Sequence, residues 1–161
     1  MRAVLSIGSN LEDSGAHLDS VSRAFGASVI ASSGVYSTPP WGPVEQGDYL
    51  NQILIVEVDG TPEELLARCQ EIENQANRTR EVRWGPRTLD VDVVQVIVDK
   101  QEVTSDDPVL TLPHPRAHER AFVLVPWLDA DPNAQLQGRP VAELLGGLDA
   151  DEVDQIRLVH R

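Results

Sequence analysis

The chain has 161 residues, enough for one domain with its own core, and a formal net charge of −13. That acidity excludes a protein that coats nucleic acid, because such binding rests on broadly distributed positive charge. Cys69 is the only cysteine, which excludes an intrachain disulfide and a cysteine-built metal site.

In chain order, Ala3 to Ile7 predicts a short strand that starts at once, with no signal-peptide h-region before it. From Gly15 to Phe25 the spacing of Leu18, Val21 and Phe25 predicts a helix stopped by Gly26. Val29 to Ser37 reads as a second strand, Thr38 to Pro43 as a Pro-rich loop, and Tyr49 to Val58 as a third strand. Thr61, Pro62 and Glu64 form a helix start of capping-box type, with Leu65, Cys69, Ile72 and Ala76 on the inner face. The β-branched run from Asp90 to Val98 predicts a fourth strand, and Asp99-Lys100-Gln101 a turn after it. The order β-α-β-β-α-β implies an α+β, ferredoxin-like core: a mainly antiparallel sheet with helices packed on it. A C-terminal extension carries mixed strand and helix signals at Val109 to Leu112, Phe122 to Leu128 and Val141 to Leu145. The acidic stretch Asp149 to Asp154 reads as solvated surface, and residues 1–161 as a single domain. No apolar run reaches the length of a membrane span, so a cytoplasmic protein without membrane association is expected.

The most informative stretch is RWGPRTLDVDV at residues 83–93. Alternate residues of a strand share a face about 6.5 to 7 Å apart, so Asp90 and Asp92 would point the same way. That suits two Mg²⁺ ions roughly 3.5 to 4 Å apart that bridge protein and phosphate oxygens. Arg78, Arg80, Arg83 and Arg87 lie just upstream, an exception in an acidic chain. Lys100 is the only lysine and no GxxxxGK[ST] loop occurs, so arginine and metal must carry any phosphate binding. Taken singly, each group has a plainer reading: a solvated Asp-x-Asp, an exposed arginine face, aromatic core residues at Tyr49 and Phe122, or a rigid loop histidine at His114. The RRM shares the element order, but its aromatic strand motifs are missing.

SIGSNL, YSTPPWGP, DYLN, RWGPRTLDVDV and LPHPRAHERAFVL, in this order from Ser6 to about Leu128, resemble the 6-hydroxymethyl-7,8-dihydropterin pyrophosphokinases of folate biosynthesis. The resemblance implies transfer of pyrophosphate from ATP to the hydroxymethyl group of 6-hydroxymethyl-7,8-dihydropterin, with release of AMP. It implies that Asp90 and Asp92 hold two Mg²⁺ ions and that Arg78 and Arg87 support the transfer at phosphate. Gln70, Arg80, Trp84, Arg87, Thr111, His114 and Arg120 match positions around the nucleotide. Tyr49 and Phe122 match a pair that sandwiches the pterin ring, a flat polar heterocycle suited to aromatic faces. Asn51 and Thr38 match its polar edge, and Pro39, Pro40 and Trp41 lie beside it. ATP and the pterin are the expected partners, with no nucleic acid, and the chain is expected to act as a monomer.

Overall fold

The computed structural model describes residues 1–10, 14–39, 49–78 and 89–161, without the side chains of residues 77 and 78. Its organising element is β1 (Arg2–Ser9), where the two-residue strand period sends Ala3, Leu5 and Ile7 to one side and Val4, Ser6 and Gly8 to the other. Antiparallel neighbours flank it: β4 (Tyr49–Glu57) on one edge and β5 (Leu89–Val98) on the other. Beyond β4 lie β2 (Val29–Ser32) and β3 (Val35–Thr38), both antiparallel to it. The expected strand from Val29 to Ser37 is thus divided at Ser33-Gly34. There Ser33 Oγ accepts from Ile53 N–H at 2.9 Å, and Gly34 N–H donates to Asp129 Oδ2 at 2.8 Å.

The chain order β1, α1 (Ser14–Phe25), β2/β3, β4, α2 (Pro62–Arg78), β5 realises the expected α+β arrangement. Helices α1 and α2 cover one face, where Leu18, Val21, Phe25, Leu65 and Cys69 pack on Leu5, Leu54, Val56, Leu89, Val91 and Val93. At the start of α2 the N-cap half of the expected capping box forms, Glu64 N–H donating to Thr61 Oγ1 at 3.1 Å, while the Glu64 carboxylate accepts from the Thr61 hydroxyl at 3.3 Å. Thr61→Ala is expected to cost about 0.5–2 kcal/mol, read as a lower Tm in thermal unfolding. Cys69 is fully enclosed, and burial together with the nearby Glu73 charge pushes its thiol up to about 12, as befits a packing residue.

The extension covers the opposite face. After the short strands β6 (Gln101–Glu102), β7 (Ser105–Asp106) and β8 (Thr111–Leu112) comes α3 (Ala121–Ala130), the segment whose type the local pattern left open. It closes Val123, Leu124 and Trp127 over Val4, Ile53, Ile55 and Val94. The hairpin of β9 (Gln135–Leu136) and β10 (Arg139–Pro140) leads into α4 (Val141–Gly146), which completes this second core with Val141. The expected turn at Asp99-Lys100 is present, with positive φ at both residues. The acidic stretch forms the short, mostly exposed α5 (Ala150–Asp154), capped by Asp149. A strand that local pattern did not suggest, β11 (Arg157–His160), pairs with β3 and sets the sheet order β11-β3-β4-β1-β5-β6.

One irregularity decides where the site faces. Between β1 and β5 the register slips, so that Leu5 meets Val93 but Val4 meets Gln95. Val94 is the extra residue of a β-bulge, and such an insertion re-aims the side chains on either side of it. Asp90, Asp92 and Val94 therefore share the α3 face, while Val96 beyond the bulge returns to the α1/α2 core.

Candidate active site

The α3 face of the sheet is apolar at one end and polar at the other. Moving along β1 from Val4 to Ser6 and Gly8, cover by α3 gives way to an open cavity of about 230 Å³. It is lined by Ser6, Gly8, Thr38, Tyr49, Asn51, Asp90, Asp92, Arg120 and Phe122. Register explains the gathering: Asn51, Gly8 and Asp90 form one cross-strand row and Ile53, Ser6 and Asp92 the next. Gly8 keeps the floor open, since a Cβ there would lie 3.2 Å from Asn51 Oδ1. Asn51 is buried and donates through Nδ2 to Thr38 Oγ1 at 2.8 Å, so two of the expected ring-edge residues are already oriented by each other. Phe122 stands in the first turn of α3, with the Arg120 guanidinium 5.5 Å from its ring centroid. Tyr49, at the start of β4, is half-buried, like Phe122. Pro39 is exposed just beyond β3 and does not line this cavity.

A second cavity, about 410 Å³, opens along the outer edge of β5. Gln70 and Glu73 of α2 line one wall, and Thr111 and His114 of the 108–115 segment line the other. That segment is pinned to β5 by the His114 N–H, which donates to Val94 O at 2.8 Å. Burial holds the His114 imidazole below its ordinary pKa, the Asp92 charge opposing and Arg120 and Arg116 assisting. Arg116 N–H donates to Nδ1 at 3.2 Å, so the neutral ring carries its proton on Nε2 and is a donor. Asp92 borders both cavities.

Electrostatics mark the same spot. Glu73 is pushed up to about 7, by burial first and then by the charges of Asp90 and Asp92, against a hydrogen bond from Val91 N–H that lowers it. Burial and the negative field of the paired carboxylates together favour a proton on this neighbouring acid. Hard oxygen donors in such a field fit a divalent cation. Among the described residues no cluster of three or more His, Cys, Asp or Glu could hold a metal ion without further ligands. Because the folded protein favours protonated Glu73, its contribution to stability is greatest below about 4.5 and is lost as pH rises to about 7. Glu73→Gln should raise Tm at pH 8 and flatten the pH dependence of Tm between these values, measured in EDTA.

Of the residues singled out from sequence, Thr38, Tyr49, Asn51, Asp90, Asp92 and Phe122 meet at the first cavity, and Arg120, which the resemblance places at the nucleotide, lines this cavity rather than the second. Gln70, Thr111 and His114 meet at the second. Pro40, Trp41, Arg80, Trp84 and Arg87, with the side chain of Arg78, lie outside the described residues. Ser6, Gly8 and Glu73 carry parts of the site that sequence reading left without a role. The signal for the first two was a polar residue and a glycine at alternate positions of an otherwise apolar strand.

An antiparallel α+β sheet with one carboxylate on two adjoining cavities suits a protein that passes a group between two ligands. The chain belongs to the 7,8-dihydro-6-hydroxymethylpterin-pyrophosphokinase family, whose model matches residues 4–132. It is 49% identical to the 2-amino-4-hydroxy-6-hydroxymethyldihydropteridine pyrophosphokinase of Mycobacterium bovis, across 98% of this chain and 89% of that protein. It is 38% identical to the protein of the same name from Methylorubrum extorquens, across 96% and 98%. A crystal structure of Plasmodium falciparum HPPK-DHPS superposes with a TM-score of 0.64 at 12% identity, which bears on the fold alone. The overlap spans 90% of this chain and 45% of that longer one.

Proposed function

We propose that this chain moves the pyrophosphoryl group of ATP onto the hydroxymethyl oxygen of 6-hydroxymethyl-7,8-dihydropterin across Asp92, a step of folate biosynthesis. The substrate oxygen loses its proton and bonds the β-phosphorus, while the bond from that phosphorus to the α-phosphate oxygen breaks and AMP departs. The observation that carries this reading is the position of Asp92 on both cavities, because a group handed from one ligand to another must pass where their pockets adjoin.

In this reading the first cavity takes the pterin: Tyr49 and Phe122 supply ring faces, and the Asn51–Thr38 pair reads the polar edge. The second takes the nucleotide, with Gln70, Thr111 and the Nε2–H of neutral His114 as hydrogen-bonding groups. Arg120, at the threshold of α3, contributes positive charge beside the carboxylates. Arg78 and Arg87 at phosphate, Arg80 and Trp84 at the nucleotide, and Pro39, Pro40 and Trp41 beside the pterin are assigned through the family's motifs. Asp90 and Asp92 would hold two Mg²⁺ ions, which when bound supply charge neutralisation on the phosphates and make the hydroxyl easier to deprotonate. We further propose a cytoplasmic monomer. Among the described residues no helix is long and apolar enough to cross a membrane.

The test is to incubate the protein with ATP, Mg²⁺ and 6-hydroxymethyl-7,8-dihydropterin and to identify the nucleotide formed. AMP supports the reading, ADP would mean transfer of a single phosphoryl group, and turnover undiminished in EDTA would remove the metal from it.

A further inference from the structure

On the floor of the first cavity Ser6 stands between Ile53 of β4 and Asp92 of β5. It is only 7% exposed, yet it lines the cavity. A serine so enclosed ordinarily spends its hydroxyl on the protein itself, as Ser33 does by accepting from Ile53 N–H and donating to Gly34 O at 2.6 Å. Among the described residues the Ser6 hydroxyl makes no such bond. Nor is it sealed in, for the one fully enclosed side-chain polar atom without a partner among them is Glu102 Oε2. Ser6 Oγ is therefore an unspent hydrogen-bonding group, walled by protein and open only toward whatever fills the cavity.

We propose that Ser6 is a specificity-determining contact that accepts a hydrogen bond from the hydroxyl of the pterin's hydroxymethyl arm. The inference rests on the reading that the pterin occupies this cavity. The far side of the cavity already has polar partners for the ring in the Asn51–Thr38 pair. Ser6 lies toward Asp92, the carboxylate shared with the second cavity, and this is where the attacking oxygen has to arrive. Ile53, its neighbour on the other side, offers nothing polar. Accepting the substrate O–H turns that hydrogen toward β1 and leaves the oxygen's lone pairs free to face the phosphorus.

Calorimetry with 6-hydroxymethylpterin and with 6-methylpterin, on the wild-type chain and on Ser6→Ala in the absence of ATP and metal, tests this contact. Wild type is expected to favour the hydroxymethyl compound by roughly fivefold to tenfold, the size of one neutral hydrogen bond. Ser6→Ala should bind both compounds alike and hold the methyl compound as wild type does. A preference retained in Ser6→Ala, an equal weakening of both ligands, or a wild type that does not distinguish them overturns the contact. Failure of both compounds to bind wild type would instead overturn the pterin reading of the cavity.

Discussion

Asp92→Asn is expected to lower kcat by about three orders of magnitude or more while the chain stays folded, and Asp90→Asn to do nearly as much. A loss of this size corresponds to about 4 kcal/mol of transition-state stabilisation, within the several kcal/mol that a metal ligand can contribute. Asparagine keeps the shape and removes the charge. Since Asp90 is exposed and Asp92 half-buried, neither substitution opens a void in the core. A second readout separates electrostatics from misfolding. The Asp90 and Asp92 charges help raise the Glu73 pKa to about 7, so each substitution should move that pKa downward in an NMR titration of the metal-free protein. Turnover near the wild-type rate in both variants would defeat the assignment of the carboxylates. Lost turnover with an unmoved Glu73 would defeat the electrostatic account of their neighbourhood.

Gly8→Val should nearly abolish pterin binding and leave ATP binding within about a factor of two. Gly8 lies between Asn51 and Asp90 in one cross-strand row and lines the first cavity but not the second. Its Cβ would approach Asn51 Oδ1 to 3.2 Å, and the methyl groups beyond it would stand where the ring is to lie. Overpacking typically costs about 1–3 kcal/mol. Gly8→Ala, which adds the Cβ alone, should therefore weaken pterin binding by roughly tenfold. Because valine favours strands, the sheet itself should not suffer. Separate calorimetric titrations with each ligand decide the matter: equal loss of both ligands would point to a disturbed sheet, and no loss of pterin would remove the ring from the floor of this cavity.

Much of the frame was legible because its signals are local. The N-cap at Thr61, the inner stripe of Leu65 and Cys69, and the turn at Asp99-Lys100 depend on residues a few positions apart, and the structure has them where the pattern put them. The Phe122 to Leu128 stretch illustrates the limit. A run rich in Val and Leu suits a buried strand or a buried helix equally well, and the need to cover Val4, Ile53 and Ile55 with Val123, Leu124 and Trp127 made it helical. The strand at Arg157–His160 was invisible for a related reason: four exposed residues carry no hydrophobic period, and pairing with β3 alone makes them a strand.

By itself the sequence determined that two carboxylates lie one residue apart in a strand, that they share a face, and which motifs accompany them. Only the tertiary structure decided what they face. Cross-strand register joins residues more than forty positions apart, and no local pattern specifies that Asp92 meets Ser6 or that Asp90 and Asn51 flank Gly8. The bulge at Val94, the closure of α3 over half of one sheet face and the docking of the 108–115 segment on β5 set Asp92 between two cavities, because side-chain direction in a sheet follows pairing and packing rather than sequence spacing alone.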